Sequence, residues 1–260
     1  MQPYLLSIPL APLLFLQGKY AKAVTPKLPE AAGDRRGEYG TGPRLRLLIL
    51  GDSAAAGVGA KQQDKALTGS LVRQLVDQFH VQWRLHARTG NQTRDTLQGL
   101  SELGDEHFDV VVVSTGVNDV TGGVALAVWS QHLRELHQQL RQRFACRLVL
   151  FSGVPPMGRF KALPQPLRAF MGARASLFDL QLQKTVAALP GASYLPLEGE
   201  FDQRSLADDG FHPSEYAYQR WAERVALRLK SAWLALENVE EPTKAFSVKH
   251  NRAEQTLEKC

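Results

Sequence analysis

The chain has 260 residues, 44% of them hydrophobic and 22% charged, with a net charge of +5. That suits one large globular α/β domain or two small ones, and a single domain of this size can bury roughly three-quarters of its unfolded surface without a disulfide framework or structural metal. Its two cysteines, Cys146 and Cys260, have no metal-ligand spacing, which excludes a zinc module.

The first residues are apolar from Tyr4 to Leu16, interrupted by Pro9 and Pro12, and are too few to span a bilayer as a helix. Residues 17–46 then carry seven basic side chains against three acidic ones, so most of the excess charge lies here. The remainder has no basic face, and aromatic residues do not alternate with basic ones, so nucleic-acid binding is not expected. Three readings of the N-terminus stay open. Ala21-Lys22-Ala23 has the form of a signal-peptide cleavage site, which would place the protein outside the cytoplasm, secreted or periplasmic, once residues 1–23 were removed. An apolar run followed by cations suits peripheral membrane contact through residues 1–27. The third reading is an arm packed on its own domain in a cytoplasmic protein. Prolines and glycines between residues 26 and 43 read as a linker, so residues 1–43 are taken as an N-terminal segment.

The main domain is expected over residues 44–236. Leu45–Leu50, Val81–Ala87, Phe108–Thr115, Arg147–Ser152 and, more weakly, Ser193–Leu197 read as strands. The β-branched run Val110–Val113 suits a strand buried on both faces. Between strands the apolar residues take helical spacing, as at Trp129, Leu133, Leu136 and Leu140, and again at Tyr218, Trp221, Val225 and Leu229. Alternation of this kind predicts a parallel sheet with right-handed crossovers. Residues 237–260 hold nine charged side chains and read as a solvated tail.

Ligands of open α/β sheets bind at the carboxyl ends of the strands, so the chemistry is expected there. After the first strand, Gly51-Asp52-Ser53-Ala54 offers a hydroxyl flanked by small residues at a strand-to-helix turn, or else a helix N-cap. After the second, Gly90 permits close approach of backbone to a ligand, or is a turn glycine. After the third, Asn118 offers an amide to an oxyanion, or closes an Asx turn. Before the last helix, Asp209 stands three residues ahead of His212, close enough to hold an imidazole in one tautomer.

In this order and context the four blocks resemble the SGNH hydrolases, also called the GDSL lipase/esterase family. They are Gly51-Asp52-Ser53 with Gly57, then Gly90, Gly116-x-Asn118-Asp119 and Asp209-x-x-His212, within residues 45–236. The usual leucine after the serine is Ala54 here. The resemblance implies a three-layer flavodoxin-like sandwich with a five-stranded parallel sheet and metal-free, cofactor-free hydrolysis of acyl esters. It implies Ser53 as nucleophile, His212 as base and Asp209, rather than Asp208, as its orienting acid. The oxyanion would be held by the backbone N–H groups of Ser53 and Gly90 and the side chain of Asn118.

Asp52 is expected to have a structural role. The proline-rich segment 153–168 follows the fourth strand, and its Met157, Phe160 and Leu163 are candidate walls of an acyl pocket. With the apolar N-terminus this leans toward lipid-like esters of lysophospholipase or arylesterase type. A carbohydrate O-acetyl esterase and a non-catalytic binding protein are the alternatives.

Overall fold

A computed structural model describes residues 7–197 and 204–235. The expected C-terminal tail lies outside the described residues. The elements are α1 (Ser7–Val24), β1 (Arg36–Tyr39), β2 (Arg44–Gly51), α2 (Leu67–Leu75), β3 (His80–Ala87), α3 (Thr93–Gly99), β4 (Val110–Ser114), α4 (Val117–Thr121), α5 (Leu126–Gln142), β5 (Leu148–Ser152), α6 (Leu167–Ala187) and β6 (Ala192–Leu195). A last helix, α7, occupies residues 215–235.

The sheet order is β1-β3-β2-β4-β5-β6. The five strands from β3 to β6 are parallel, as expected, but β1 adds a sixth at the edge, antiparallel to β3. The sheet is therefore mixed. Residues 36–39 read as linker because all four of their side chains are exposed, so no apolar alternation marks them. Their pairing is a backbone matter: Arg36 to Tyr39 lie opposite Arg84 to Val81.

Alternate side chains of each inner strand feed two cores, one per face. Leu45, Leu47 and Ile49 of β2, with Val110, Val112, Leu148 and Leu150, meet α2 and α7. Leu48 and Leu50, with Val111, Val113, Val149 and Phe151, meet α3, α5 and α6. Each such aliphatic side chain contributes about 1.5–3 kcal/mol on burial, which explains the continuous apolar runs of β4 and β5. The helical stripes read from sequence point inward: Trp129, Leu133, Leu136 and Leu140 are buried, as are Tyr218, Trp221, Val225 and Leu229. This double covering leaves the carboxyl ends of the strands as the edge where loops gather.

Candidate active site

Ser53 follows β2 through a sharp bend. Gly51 has φ +155, and a Cβ there would lie 2.1 Å from Ser114 O, so only glycine lets β2 run this close to the end of β4. Asp52 N–H donates to Ser114 O at 3.2 Å, and Val58 N–H to Ser53 O at 3.0 Å. The serine thus sits in a tight series of turns. The helix expected directly after it does not form; α2 begins only at Leu67.

The loop carrying the imidazole is closed on itself. Ala207 N–H donates to His212 O at 2.8 Å, and Ser214 N–H to Ser205 O at 3.1 Å. Asp209 lies inside this loop with its side chain fully buried. Its Oδ1 accepts the N–H groups of Phe211 (2.9 Å) and His212 (3.0 Å), and its Oδ2 lies 2.6 Å from His212 Nδ1. Burial works to raise the Asp209 carboxyl, but the imidazole bond and the two backbone N–H groups outweigh it and hold it below the usual range. An ionised Asp209 fixes the proton on Nδ1 and leaves Nε2 to accept from Ser53 Oγ, 2.9 Å away. Asp208 is exposed and makes none of these bonds.

The other two strand-end blocks carry Gly90 and Asn118. Gly90 has φ +89 with open space where a Cβ would be. Asn118 is the second residue of α4, and its Nδ2 donates to Asn91 O at 3.0 Å, leaving one amide N–H over. Among the described residues the N–H groups of Ser53 and Gly90 donate to no protein acceptor. Two backbone N–H groups and one amide N–H at these strand ends therefore keep spare hydrogen-bonding capacity among the described residues.

Three carboxylates support this frame, and spacing in sequence did not single out their partners. Glu30 Oε1 accepts Thr89 N–H (2.7 Å) and Thr89 Oγ1–H (2.9 Å), while Oε2 accepts from Arg35 at 2.8 Å. Burial would raise the Glu30 carboxyl, but these bonds hold it low. It thereby ties the residue before Gly90 to the N-terminal segment.

Asp119 Oδ2 accepts from Thr93 N–H and Oγ1–H at 3.0 and 2.9 Å, and Trp129 Nε1–H donates to the same hydroxyl oxygen at 2.9 Å. Asp52 Oδ1 accepts Ala54 N–H at 3.0 Å, the structural role expected of it. Full burial pushes the Asp52 carboxyl up to about 7, against the Ala54 bond and the nearby imidazole, with Asp119 adding to the rise.

A cavity of about 370 Å³ opens from Ser53 and His212 across the ends of β4, β5 and β6. Val117, Pro155, Phe160, Leu206, Phe211 and Trp221 supply its apolar walls, and Arg220 and Arg224 of α7 also reach it. Of the three wall residues expected from segment 153–168, only Phe160 lines it, stacked edge-on against Phe211 at 4.9 Å. Met157 and Leu163 instead point into the core. Their turn packs on α6, where Gly158 and Gly172 approach so closely that a Cβ on Gly172 would lie 2.7 Å from Gly158 Cα.

The chain's relatives match this architecture. Residues 49–220 fit the GDSL-like lipase/acylhydrolase family. The GDSL-like esterase Rv1075c of Mycobacterium tuberculosis is 28% identical over 244 residues, spanning 85% of this chain and 76% of that protein. The crystal structure of TesA superposes with a TM-score of 0.61 at 26% identity, covering 72% of this chain and 99% of TesA. A family 3 carbohydrate esterase from Clostridium thermocellum shares the fold, with a TM-score of 0.60 at 17% identity over 74% of this chain and 98% of its own. With its fold, its strand-end blocks and its relatives in agreement, the chain belongs to the GDSL-like lipase/acylhydrolase family and is a carboxylic ester hydrolase.

Proposed function

We propose that the protein hydrolyses lipid-like acyl esters through a Ser53–His212–Asp209 triad. The observation that carries this reading is the unbroken chain from Ser53 Oγ to His212 Nε2 (2.9 Å) and from Nδ1 to Asp209 (2.6 Å), at the mouth of an apolar-walled cavity.

In this mechanism His212 Nε2 takes the hydroxyl proton as Ser53 Oγ bonds to the ester carbonyl carbon. The carbonyl oxygen becomes an oxyanion and receives hydrogen bonds from Ser53 N–H, Gly90 N–H and the free amide N–H of Asn118. Asp209 stabilises the imidazolium formed. As the tetrahedral species collapses, the C–O bond to the leaving group breaks and His212 gives that alkoxide the proton. Water then adds to the acyl-enzyme, losing a proton to His212. The acid leaves as Ser53 Oγ takes the proton back.

The acyl group would occupy the cavity between Phe160, Phe211 and Trp221. Such walls favour chains longer than acetyl, because each buried methylene contributes about 0.8 kcal/mol. The test is hydrolysis of p-nitrophenyl esters from acetate to palmitate, with Ser53→Ala in parallel. The reading expects a serine-dependent maximum in kcat/KM beyond acetate. A maximum at acetate would point to small or carbohydrate-borne acyl groups, and undiminished turnover by Ser53→Ala would remove the triad assignment.

A further inference from the structure

The first helix is held to the domain along one narrow stripe. Gln17 Nε2 donates to Gln165 O at 2.6 Å, and Leu167 N–H donates to Gln17 Oε1 at 3.0 Å. Ala21 is buried and Leu14 packs on the core of the same face. These residues recur at three- and four-residue intervals, as one side of an α-helix must.

A second stripe has no cover among the described residues. Leu13, Leu16, Tyr20 and Val24 follow the same spacing one step round the helix, and Leu16 and Tyr20 are each 62% exposed. A helix that served only as a packed arm would turn apolar residues inward and leave polar ones here. No described helix is long and apolar enough to cross a membrane, so α1 is not read as a span.

The two segments that build this face carry charge of one sign, and Lys19 lies over the exposed Phe15 ring beside the stripe. Residues 7–29 contain Lys19, Lys22 and Lys27 and no Asp or Glu. The segment that receives α1 is similar: residues 153–178 contain four basic side chains and no acidic one. Lys161 of that segment is exposed. Apolar side chains set in an acid-free basic surround match the boundary between headgroups and acyl chains of an anionic bilayer. A second copy of the chain fits poorly, because a symmetric contact would bring the same cations face to face. Residues 237–260, with five acidic and four basic side chains, carry too little net charge to answer this surface.

We propose that α1 docks the protein on an anionic lipid surface, its Leu13–Val24 stripe entering the interface while Lys19, Lys22 and the neighbouring basic segment meet the headgroups. The segment that receives α1 is continuous with one wall of the substrate cavity. Residues 165–167, which hold Gln17, end the loop whose Phe160 lines the cavity and touches Phe211 beside His212. Docking would set that loop against the lipid.

The experiment is co-sedimentation of the full chain with vesicles of phosphatidylcholine, with and without phosphatidylglycerol. Binding is expected with the anionic vesicles and should fall as salt rises. Leu16→Glu with Tyr20→Glu should abolish it, and Lys19→Glu with Lys22→Glu should weaken it more than tenfold, at about fivefold or more per lysine. Both variants should keep the wild-type melting temperature and the wild-type rate on soluble p-nitrophenyl acetate. No binding by the wild type overturns the proposal, as does undiminished binding by either variant. Loss of a dimer by Leu16→Glu with Tyr20→Glu, without change in vesicle binding, overturns it in favour of self-association.

Discussion

The two flanks of Ser53 are built on opposite principles. On the His212 side the reacting groups are engaged: Asp209 accepts three hydrogen bonds from the loop it sits in, and the imidazole is held at both nitrogens. In the proposed oxyanion hole the arrangement is the reverse: Glu30 holds Thr89 and Asn118 bonds Asn91, while the Gly90 N–H and one amide N–H of Asn118 have no protein acceptor among the described residues. A proton relay needs one fixed geometry, which satisfied bonds supply. A charge that exists only in the transition state needs donors without a prior partner, because an interaction already made in the ground state gives no acceleration.

Substitutions on the two flanks should separate accordingly. Ser53→Ala should remove turnover while the melting temperature stays near wild type, since the hydroxyl contributes only one hydrogen bond to the fold. Asp209→Asn should lower kcat by about 10⁴-fold with little change in KM, because the amide stabilises the wrong tautomer and no imidazolium. A loss of kcat below about tenfold would assign the orienting role elsewhere. Asn118→Ala should cost roughly 10²–10³ in kcat, read against an unchanged melting temperature.

Glu30→Gln should have a smaller effect, about tenfold or less, because it loosens the Gly90 loop while keeping one acceptor for Thr89. If Glu30→Gln proved as damaging as Asn118→Ala, the loop tether would matter as much as the donor itself.

The last expectation concerns stability and leaves the reaction aside. The folded-state Asp52 carboxyl lies at about 7, above the unfolded value of 3.8, so the native state binds the extra proton between those limits. Stability contributed by the protonated form is present below pH 3.8 and is lost as pH rises through about 7. Denaturant unfolding of wild type and Asp52→Asn across this range should show the wild type losing stability relative to the variant. A pH-independent difference would mean that Asp52 titrates normally.

Ser53 could be singled out because it sits where the apolar run of β2 stops, and Asp209 and His212 because they stand three residues apart just before the last helix. The pairing of Asp209 over Asp208 was readable only through the family spacing; the structure gives the reason, since the loop closes around Asp209 and leaves Asp208 in solvent. Strand β1 was hidden because an edge strand with four exposed side chains has no hydrophobic period to detect. Met157, Phe160 and Leu163 are equivalent in sequence, and only the packing of their turn on α6, where Gly158 meets Gly172 fourteen residues away, separates Phe160 at the cavity from the other two. Glu30 was hidden for the same reason, its partner Thr89 being 59 positions distant. Long-range packing decides such residues, and no local pattern carries it.

The most direct test of the central claim is to trap the nucleophile. Incubating the protein with a p-nitrophenyl alkylphosphonate and measuring intact and peptide masses reads which oxygen attacks. The account predicts one adduct per chain, located on Ser53, with equal release of p-nitrophenol and no adduct on Ser53→Ala. An adduct on any other residue, or one that Ser53→Ala retains, would contradict it.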